Sequence, residues 1–184
     1  ARPFLKQKLW KKIVSCKILA QADVLDFFGE EGKTLRAIAD RIDNENATTS
    51  EARAARMYWP LLFDEDFRRD RVSGGRNHCL NYGYAIMRAA IARALTGAGM
   101  HPAFGVQHQN QYNAFCFADD LMEPCRPFVD FAVRHLDLEA VSYGDELVLE
   151  QEDYFGGHSC TYDIKKDKKT IPVDLGFIVF NELT

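Results

Sequence analysis

The chain concentrates one imidazole and three carboxylates in the 16 residues from His108 to Glu123. The carboxylates are Asp119, Asp120 and Glu123, and apolar residues such as Phe115 are close to them in the sequence. Carboxylates that are buried together repel one another and lose hydration, so they persist where a cation neutralises them. Hard cations such as Mg²⁺ and Mn²⁺ prefer oxygen-rich sites of this kind. The segment therefore predicts a divalent-metal site.

The spacing of the acids limits which of them can share an ion. Asp119 and Asp120 are adjacent, so on one helix their side chains diverge by about 100°. Asp120 lies three residues and Asp119 four residues before Glu123, so either pair can converge, and the motif favours Asp120. Pro124 disfavours helix at Glu123, which predicts an element boundary there. The structural alternative is a hydrogen-bonded core histidine and a surface acid before a proline.

Size and composition favour one domain with a sizeable core, or a domain with an appendage. The chain has 184 residues, of which 47% are hydrophobic. Its apolar runs are too short to cross a bilayer, and no secretory signal pattern opens the sequence. The five cysteines are scattered without C-x-x-C spacing, which favours reduced thiols over a zinc site or disulfides. We therefore expect a cytoplasmic protein without a membrane segment.

Charge divides the chain unevenly. The formal net charge is −4, but residues 139–184 hold 10 acidic and 4 basic residues. The first 17 residues hold six bases and no acid. A basic N-terminal helix and an acidic tail are therefore predicted, with a first domain over residues 1–138 and an unassigned tail over 139–184.

Periodic apolar residues predict a mainly α fold with a β-containing or irregular tail. Helices are expected over 4–28, 34–42, from 50 to the region of Pro60, over 77–95 and over 127–136. The first helix is expected to bury one stripe, made of Leu5, Leu9, Ile13, Cys16, Ala20, Val24 and Phe27. Residues 141–155 and 170–180 are richer in β-branched and aromatic residues and are candidate strands.

Three segments together resemble a known family. They are SEARAARMYW at 50–59, LNYGYAIMRAAIARAL at 80–95 and GMHPAFGVQHQNQYNAFCFADDLMEPCRPFVD at 99–130. In this order and spacing they resemble the catalytic domain of the CRISPR-associated integrases of spacer acquisition, especially those that accompany single-protein (type II) effectors. The resemblance covers about residues 3–137.

The resemblance implies a helical domain that binds Mg²⁺ or Mn²⁺. It implies metal ligands at Glu51, His108 and Glu123, with Asp120 as a further carboxylate beside the site. It implies an endonuclease and integrase that joins prespacer 3′-hydroxyl ends to CRISPR repeat DNA by transesterification. It further implies a homodimer bridged by a small companion CRISPR-associated subunit.

Some positions depart from the family pattern. Gln107 stands where a second histidine is usual, Gln111 where a base is common, and Cys125 where an aromatic is common. The family's N-terminal β domain does not precede the first helix here, and the tail beyond Asp137 does not resemble the family's helical end. These departures favour an alternative, a catalytically incompetent fragment that binds DNA or an adaptation partner without turnover. A weaker alternative is a metal hydrolase of another phosphoester.

Several residues are candidates for contact with DNA. Lys and Arg side chains bind the phosphate backbone, and the functional interpretation of Tyr82 is that it contacts DNA or supports His108. The candidates are Lys11, Lys12, Arg56, Arg76, Tyr82 and Arg126. The alternatives are that the lysines only solvate a helix face, that Tyr82 belongs to an aromatic core, and that Arg56 and Arg126 hold the acidic ligands in place.

Overall fold

The computed structural model describes residues 3–135, 161–166 and 169–174. The first of these ranges is mainly helical, as predicted. Its elements are α1 Pro3–Phe27, α2 Lys33–Asp40, α3 Ala47–Leu62, α4 Arg76–Gly97, α5 Cys116–Met122, a 3₁₀ turn Glu123–Cys125 and α6 Arg126–His135. The chain divides into two compact units, Ala1–Asp145 and Glu146–Thr184. The predicted domain boundary after residue 138 lies outside the described residues and stays a prediction.

Helix α1 ends in a glycine cap. Gly29 has a φ of 81°, in the left-handed region that a side chain disfavours. Its N–H donates to the carbonyl of Asp26 at 3.2 Å, and the N–H of Glu30 donates to that of Leu25 at 3.0 Å. This pair of bonds is a Schellman motif, which satisfies carbonyls that the last turn would leave unpaired. The glycine thus ends the helix near the residue that the sequence predicted.

The buried face of α1 differs from the predicted stripe. Leu5, Leu9 and Phe27 are 51%, 45% and 62% exposed, so these three assignments were wrong. The helix instead buries a neighbouring face, made of Trp10, Ile13, Val14, Ile18, Gln21, Ala22, Val24 and Leu25. This face recurs at three- and four-residue steps, and Lys17 belongs to it by spacing. The correction brings a lysine into the interior.

Helix α1 is the central element of the first unit. It packs against α2, α3, α6 and the 3₁₀ turn, while α4 packs against α5 and α6. The core includes Tyr58 and Leu62 of α3 and Leu80 and Tyr84 of α4. A Cβ at Gly83 would collide with Val129, so glycine allows the close approach of α4 and α6. Elements far apart in sequence therefore meet around the middle of α1.

The described part of the second unit is a pair of antiparallel strands. Strand β1, Thr161–Lys166, pairs with β2, Lys169–Asp174, and Ile164 lies opposite Ile171. The candidate strand over 170–180 thus begins within β2, and the candidate over 141–155 lies outside the described residues. Among the described residues, no helix combines the length and apolarity that a membrane crossing requires.

Candidate metal centre

Two glutamates from separate elements meet at the ammonium group of Lys17. Lys17 Nζ lies 2.5 Å from Glu51 Oε1 and 2.5 Å from Glu123 Oε2. Glu51 lies in the second turn of α3, Glu123 begins the 3₁₀ turn after α5, and Lys17 comes from the middle of α1. Burial disfavours the ammonium, but the two carboxylates outweigh it and raise the pKa of Lys17. The three side chains therefore form one charged cluster.

A second cation holds the other oxygen of Glu123. Arg126 Nε donates to Glu123 Oε1 at 2.8 Å, and its guanidinium carbon lies 4.5 Å from the ring centroid of Tyr84. Burial alone would raise the pKa of Glu123, but Lys17 and Arg126 lower it below its ordinary value. Glu123 is thus held ionised and oriented from both sides. It lies at the predicted element boundary, but its backbone is helical, with φ −53° and ψ −46°, so the expectation that Pro124 disfavours helix there was wrong.

Asp120 points to the loop that carries His108. Asp120 is fully buried, and its Oδ2 accepts the backbone N–H groups of Val106 at 2.5 Å and Gln107 at 2.9 Å. His108 Nδ1 lies 2.6 Å from Asp120 Oδ1. Burial would raise the pKa of Asp120, but these bonds lower it below its ordinary value. A Cβ at Gly105 would collide with the His108 carbonyl oxygen, so the loop closes tightly on this carboxylate.

The hydrogen bond to Asp120 sets the state of the His108 ring. It raises the pKa of His108, because the carboxylate stabilises the imidazolium, and the charges of Asp120, Glu123 and Asp119 add to this effect. In the neutral tautomer with a proton on Nδ1, the lone pair lies on Nε2, which is the usual arrangement of a metal-binding histidine. His108 also borders an open cleft, whose other lining residues are Lys6, Ala103, Phe104, Gly105 and Gln109.

Trp10 connects the His108 loop to the first turn of α3. Its indole N–H donates to Thr48 Oγ1 at 3.1 Å, three residues before Glu51. Its ring meets the His108 ring edge-on, with 6.1 Å between centroids. Thr48 and His108 therefore both contact Trp10. This side chain belongs to α1, the helix that also carries Lys17.

The four predicted site residues fall into two groups. Glu51 and Glu123 share Lys17, while Asp120 and His108 bond to each other. Asp119 diverges from Asp120, as predicted, and its carboxylate accepts a bond from Asn113 at 2.7 Å. Asp120 therefore converges with His108. The motif had favoured convergence of Asp120 with Glu123, and that expectation was wrong. In the described residues, no three His, Cys, Asp or Glu side chains come close enough together to hold one ion.

A further buried carboxylate, which the sequence interpretation left without a role, lies in α6. Asp130 accepts bonds from the hydroxyls of Tyr58, at 3.0 Å, and Tyr84. Burial raises the pKa of Asp130 to about 6, although the two hydroxyls and the charges of Lys17 and Arg126 act in the opposite direction. Tyr84 also contacts Arg126, so this centre supports the arginine that holds Glu123.

The candidate DNA-binding residues differ in their exposure. Lys12 and Arg56 are exposed, Lys11 is half-buried and Tyr82 is 43% exposed. Arg76 pairs with Asp64 at 2.9 Å, and Arg126 is engaged by Glu123 and Tyr84. The exposed side chains are open to a phosphate backbone, whereas Arg126 contacts Glu123, the acidic side chain that its alternative role would have it hold in place.

Sequence reasoning missed Lys17. It was grouped with the other five bases of the N-terminal segment as part of an exposed basic face. The signal that could have found it is its spacing, three residues after Val14 and four before Gln21, both of which are buried. A lysine on the buried stripe of a helix indicates a carboxylate partner inside the fold.

A helical domain with cation-bridged glutamates and a carboxylate-bound histidine fits the class of CRISPR-associated proteins that its motifs predicted. Residues 3–137 match the family described as CRISPR associated protein Cas1. The chain therefore belongs to the Cas1 family.

Individual relatives agree with this assignment. The chain is 44% identical over 134 residues to the CRISPR-associated endonuclease Cas1 of Neisseria meningitidis serogroup C, covering 72% of this chain and 44% of the relative. It is 30% identical over 139 residues to the CRISPR-associated endonuclease Cas1 1 of Francisella tularensis subsp. novicida, covering 64% of this chain and 44% of the relative. The chain thus spans less than half the length of these two relatives.

A solved structure supports the fold. The chain superimposes on a casposase bound to integration product with a TM-score of 0.63 and 24% identity, covering 76% of this chain and 45% of the casposase. At this identity the likeness establishes a shared fold.

Proposed function

We propose that this chain is the helical part of a metal-dependent DNA endonuclease and integrase that acts in CRISPR spacer acquisition. The observation that carries the proposal is the convergence of Glu51 and Glu123 on one cation, in a chain whose residues 3–137 match the Cas1 family. The relatives are named endonucleases, which supports a nuclease or integrase activity.

The donor set fits a divalent cation. Two carboxylates that already require a positive partner, with a histidine whose Nε2 is available in the neutral form, are typical ligands for Mn²⁺ or Mg²⁺. Glu51 and Glu123 would hold the ion, and His108, which forms no three-residue cluster with them in the described part of the chain, would have to approach it. When bound, it would supply Lewis-acid stabilisation of the charge that develops on the attacked phosphate.

The chain's own residues support this chemistry by position. Asp120 holds His108 by its Nδ1 and pins the backbone of the loop, so it is a positioning residue. Arg126 holds one oxygen of Glu123 and leaves the other facing Glu51 and Lys17. The proposed ligands would thus come from α3, from the 3₁₀ turn and from the His108 loop, and the contacts that orient them favour precise placement of a phosphate.

The proposed reaction is an exchange of phosphodiester bonds. The 3′-hydroxyl oxygen of a prespacer end bonds to a phosphorus of the CRISPR repeat, while the bond from that phosphorus to the repeat's own 3′-oxygen breaks. The attacking hydroxyl loses a proton and the leaving oxygen gains one. Because one phosphodiester bond replaces another, no external energy source is needed. The partners we propose are prespacer and repeat DNA, a second copy of the protein and a small companion subunit, in the cytoplasm.

The test is strand transfer by Glu51→Gln. This isosteric change keeps an oxygen near Lys17 but removes the charge that a dication requires, so we expect a loss of about 100-fold or more. The measurement is joining and resolution of branched DNA in Mn²⁺, alongside thermal melting to confirm the fold. Glu31→Gln, at an exposed position after α1, is the matched control. Undiminished turnover by a folded Glu51→Gln protein would reject the assignment.

A second candidate is a module that binds DNA or an adaptation partner without turnover. Two observations favour it: Lys17 already neutralises both glutamates, and no three-ligand group forms among the described residues. It predicts DNA binding without strand transfer in Mn²⁺, and an unchanged affinity for DNA in Glu51→Gln.

A further inference from the structure

Lys17 occupies the point where the two candidate ligands face each other. Its ammonium contacts one oxygen of each glutamate at 2.5 Å, and its side chain is 12% exposed. Glu123 is 6% and Glu51 21% exposed, so bulk water screens this cluster poorly. Two carboxylates this close would repel each other strongly without a cation between them.

The cations around the glutamates differ in how firmly they are held. The guanidinium of Arg126 is planar, packs on Tyr84 and donates to Oε1 of Glu123, the oxygen that does not contact Lys17. Lys17 is a compact charge at the end of a four-carbon stem, and its ammonium donates to both glutamates. An ammonium on such a stem can withdraw without disturbing the backbone of α1. Arg126 is therefore the permanent support, and Lys17 is the exchangeable partner.

We propose that Lys17 is an internal counter-ion that occupies the metal position between Glu51 and Glu123 and competes with the divalent ion for them. The proposal rests on the proposed metal site and adds to it a residue that sets its affinity. A dication bound by carboxylate oxygens at about 2.0–2.2 Å cannot share the space between the glutamates with an ammonium group. Like charges at that distance also repel, so the lysine has to withdraw as the ion binds.

Competition has two consequences for the protein. Without metal, Lys17 stabilises the fold by neutralising the glutamate pair. With metal, displacement of Lys17 costs part of the binding free energy, so the apparent affinity is lower than that of the bare glutamates. Removal of the charge at position 17 should therefore destabilise the metal-free protein and tighten metal binding.

The test compares Lys17→Met with wild type by Mn²⁺ titration calorimetry and by thermal melting with EDTA or Mn²⁺. We expect a lower melting temperature in EDTA, a larger stabilisation by Mn²⁺, and Mn²⁺ binding that is about 10-fold tighter. Lys17→Gln, which keeps a polar donor, should shift all three quantities in the same direction, and it replaces the Met variant if that variant does not fold. Lys8→Met, at an exposed position of α1, is the control.

The outcomes separate the inference from the function on which it rests. Tighter binding in the Lys17 variants supports competition. Measurable binding in wild type that becomes equal or weaker in the variants overturns the role of Lys17 but keeps the metal site. No binding in wild type or in any variant overturns the metal site, and the proposed function with it.

Discussion

Glu123, which begins the 3₁₀ turn, and Asp130, in the middle of α6, are both buried but have different electrostatic surroundings. Glu123 contacts two cations, Lys17 and Arg126, which lower its pKa below the ordinary value. Asp130 is bonded to two neutral tyrosine hydroxyls, and burial raises its pKa to about 6. Burial raises the pKa of both carboxyl groups; the two cations at Glu123 outweigh it, whereas the two hydroxyls at Asp130 do not.

The difference separates a candidate binding centre from a supporting one. Glu123 and Glu51 are balanced by a lysine that another cation can replace. Asp130 is enclosed by tyrosines of α3 and α4, so it joins helices and supports Arg126 through Tyr84. The chemistry is expected at the first centre, and rigidity at the second.

The largest effect on stability should come from pH acting on Asp130. Burial raises the pKa of its carboxyl group from 3.8 to about 6 on folding. Between these values the folded protein keeps a proton that the unfolded chain has released, so its stability falls as pH rises. From about pH 4.5 to about pH 7, the free energy of unfolding of wild type should fall by about 2 kcal/mol relative to Asp130→Asn. Urea unfolding at a series of pH values measures this difference.

Asp66→Asn, at an exposed position before α4, is the control and should give a curve parallel to wild type. The comparison between the two centres fails if Asp130→Asn also gives a parallel curve, because Asp130 would then titrate alike in both states.

A smaller effect is expected at Arg126. Arg126→Met removes one of two cations from Glu123 and should lower the free energy of unfolding by about 1 kcal/mol, because Lys17 remains. Its DNA affinity should keep the wild-type salt dependence, since the guanidinium is engaged inside the protein. Lys12→Met, at an exposed position, should reduce the salt slope by about one unit. Fluorescence anisotropy across a salt series distinguishes them, and an equal loss of slope in Arg126→Met would place Arg126 on the phosphate backbone.

Much of the fold was predictable from sequence, because its signals are local. Apolar periodicity predicted α1 and α4 to within a few residues. The motifs predicted Glu51, His108 and Glu123, and the structure brings Glu51 and Glu123 together. Their common pairing with Lys17 depends on tertiary packing of α1, which a helical repeat does not specify.

The Lys17 error has a simple physical origin. The stripe chosen for α1 included Leu5, Leu9 and Phe27, which are hydrophobic but exposed in the structure. The face of α1 that is actually buried is rotated from this stripe, and it carries Trp10, Lys17 and Gln21 in place of those three residues. Polar residues on that face carry no hydrophobic signal, so a pattern of apolar positions alone could not find the charged centre.

The most direct test is a crystal structure of the protein soaked with Mn²⁺, with anomalous scattering to locate the ion. We predict an anomalous peak bounded by Glu51, Glu123 and His108, with Lys17 Nζ withdrawn from both glutamates. A saturating soak that leaves Lys17 Nζ bridging Glu51 and Glu123, with no peak beside them, would contradict the account.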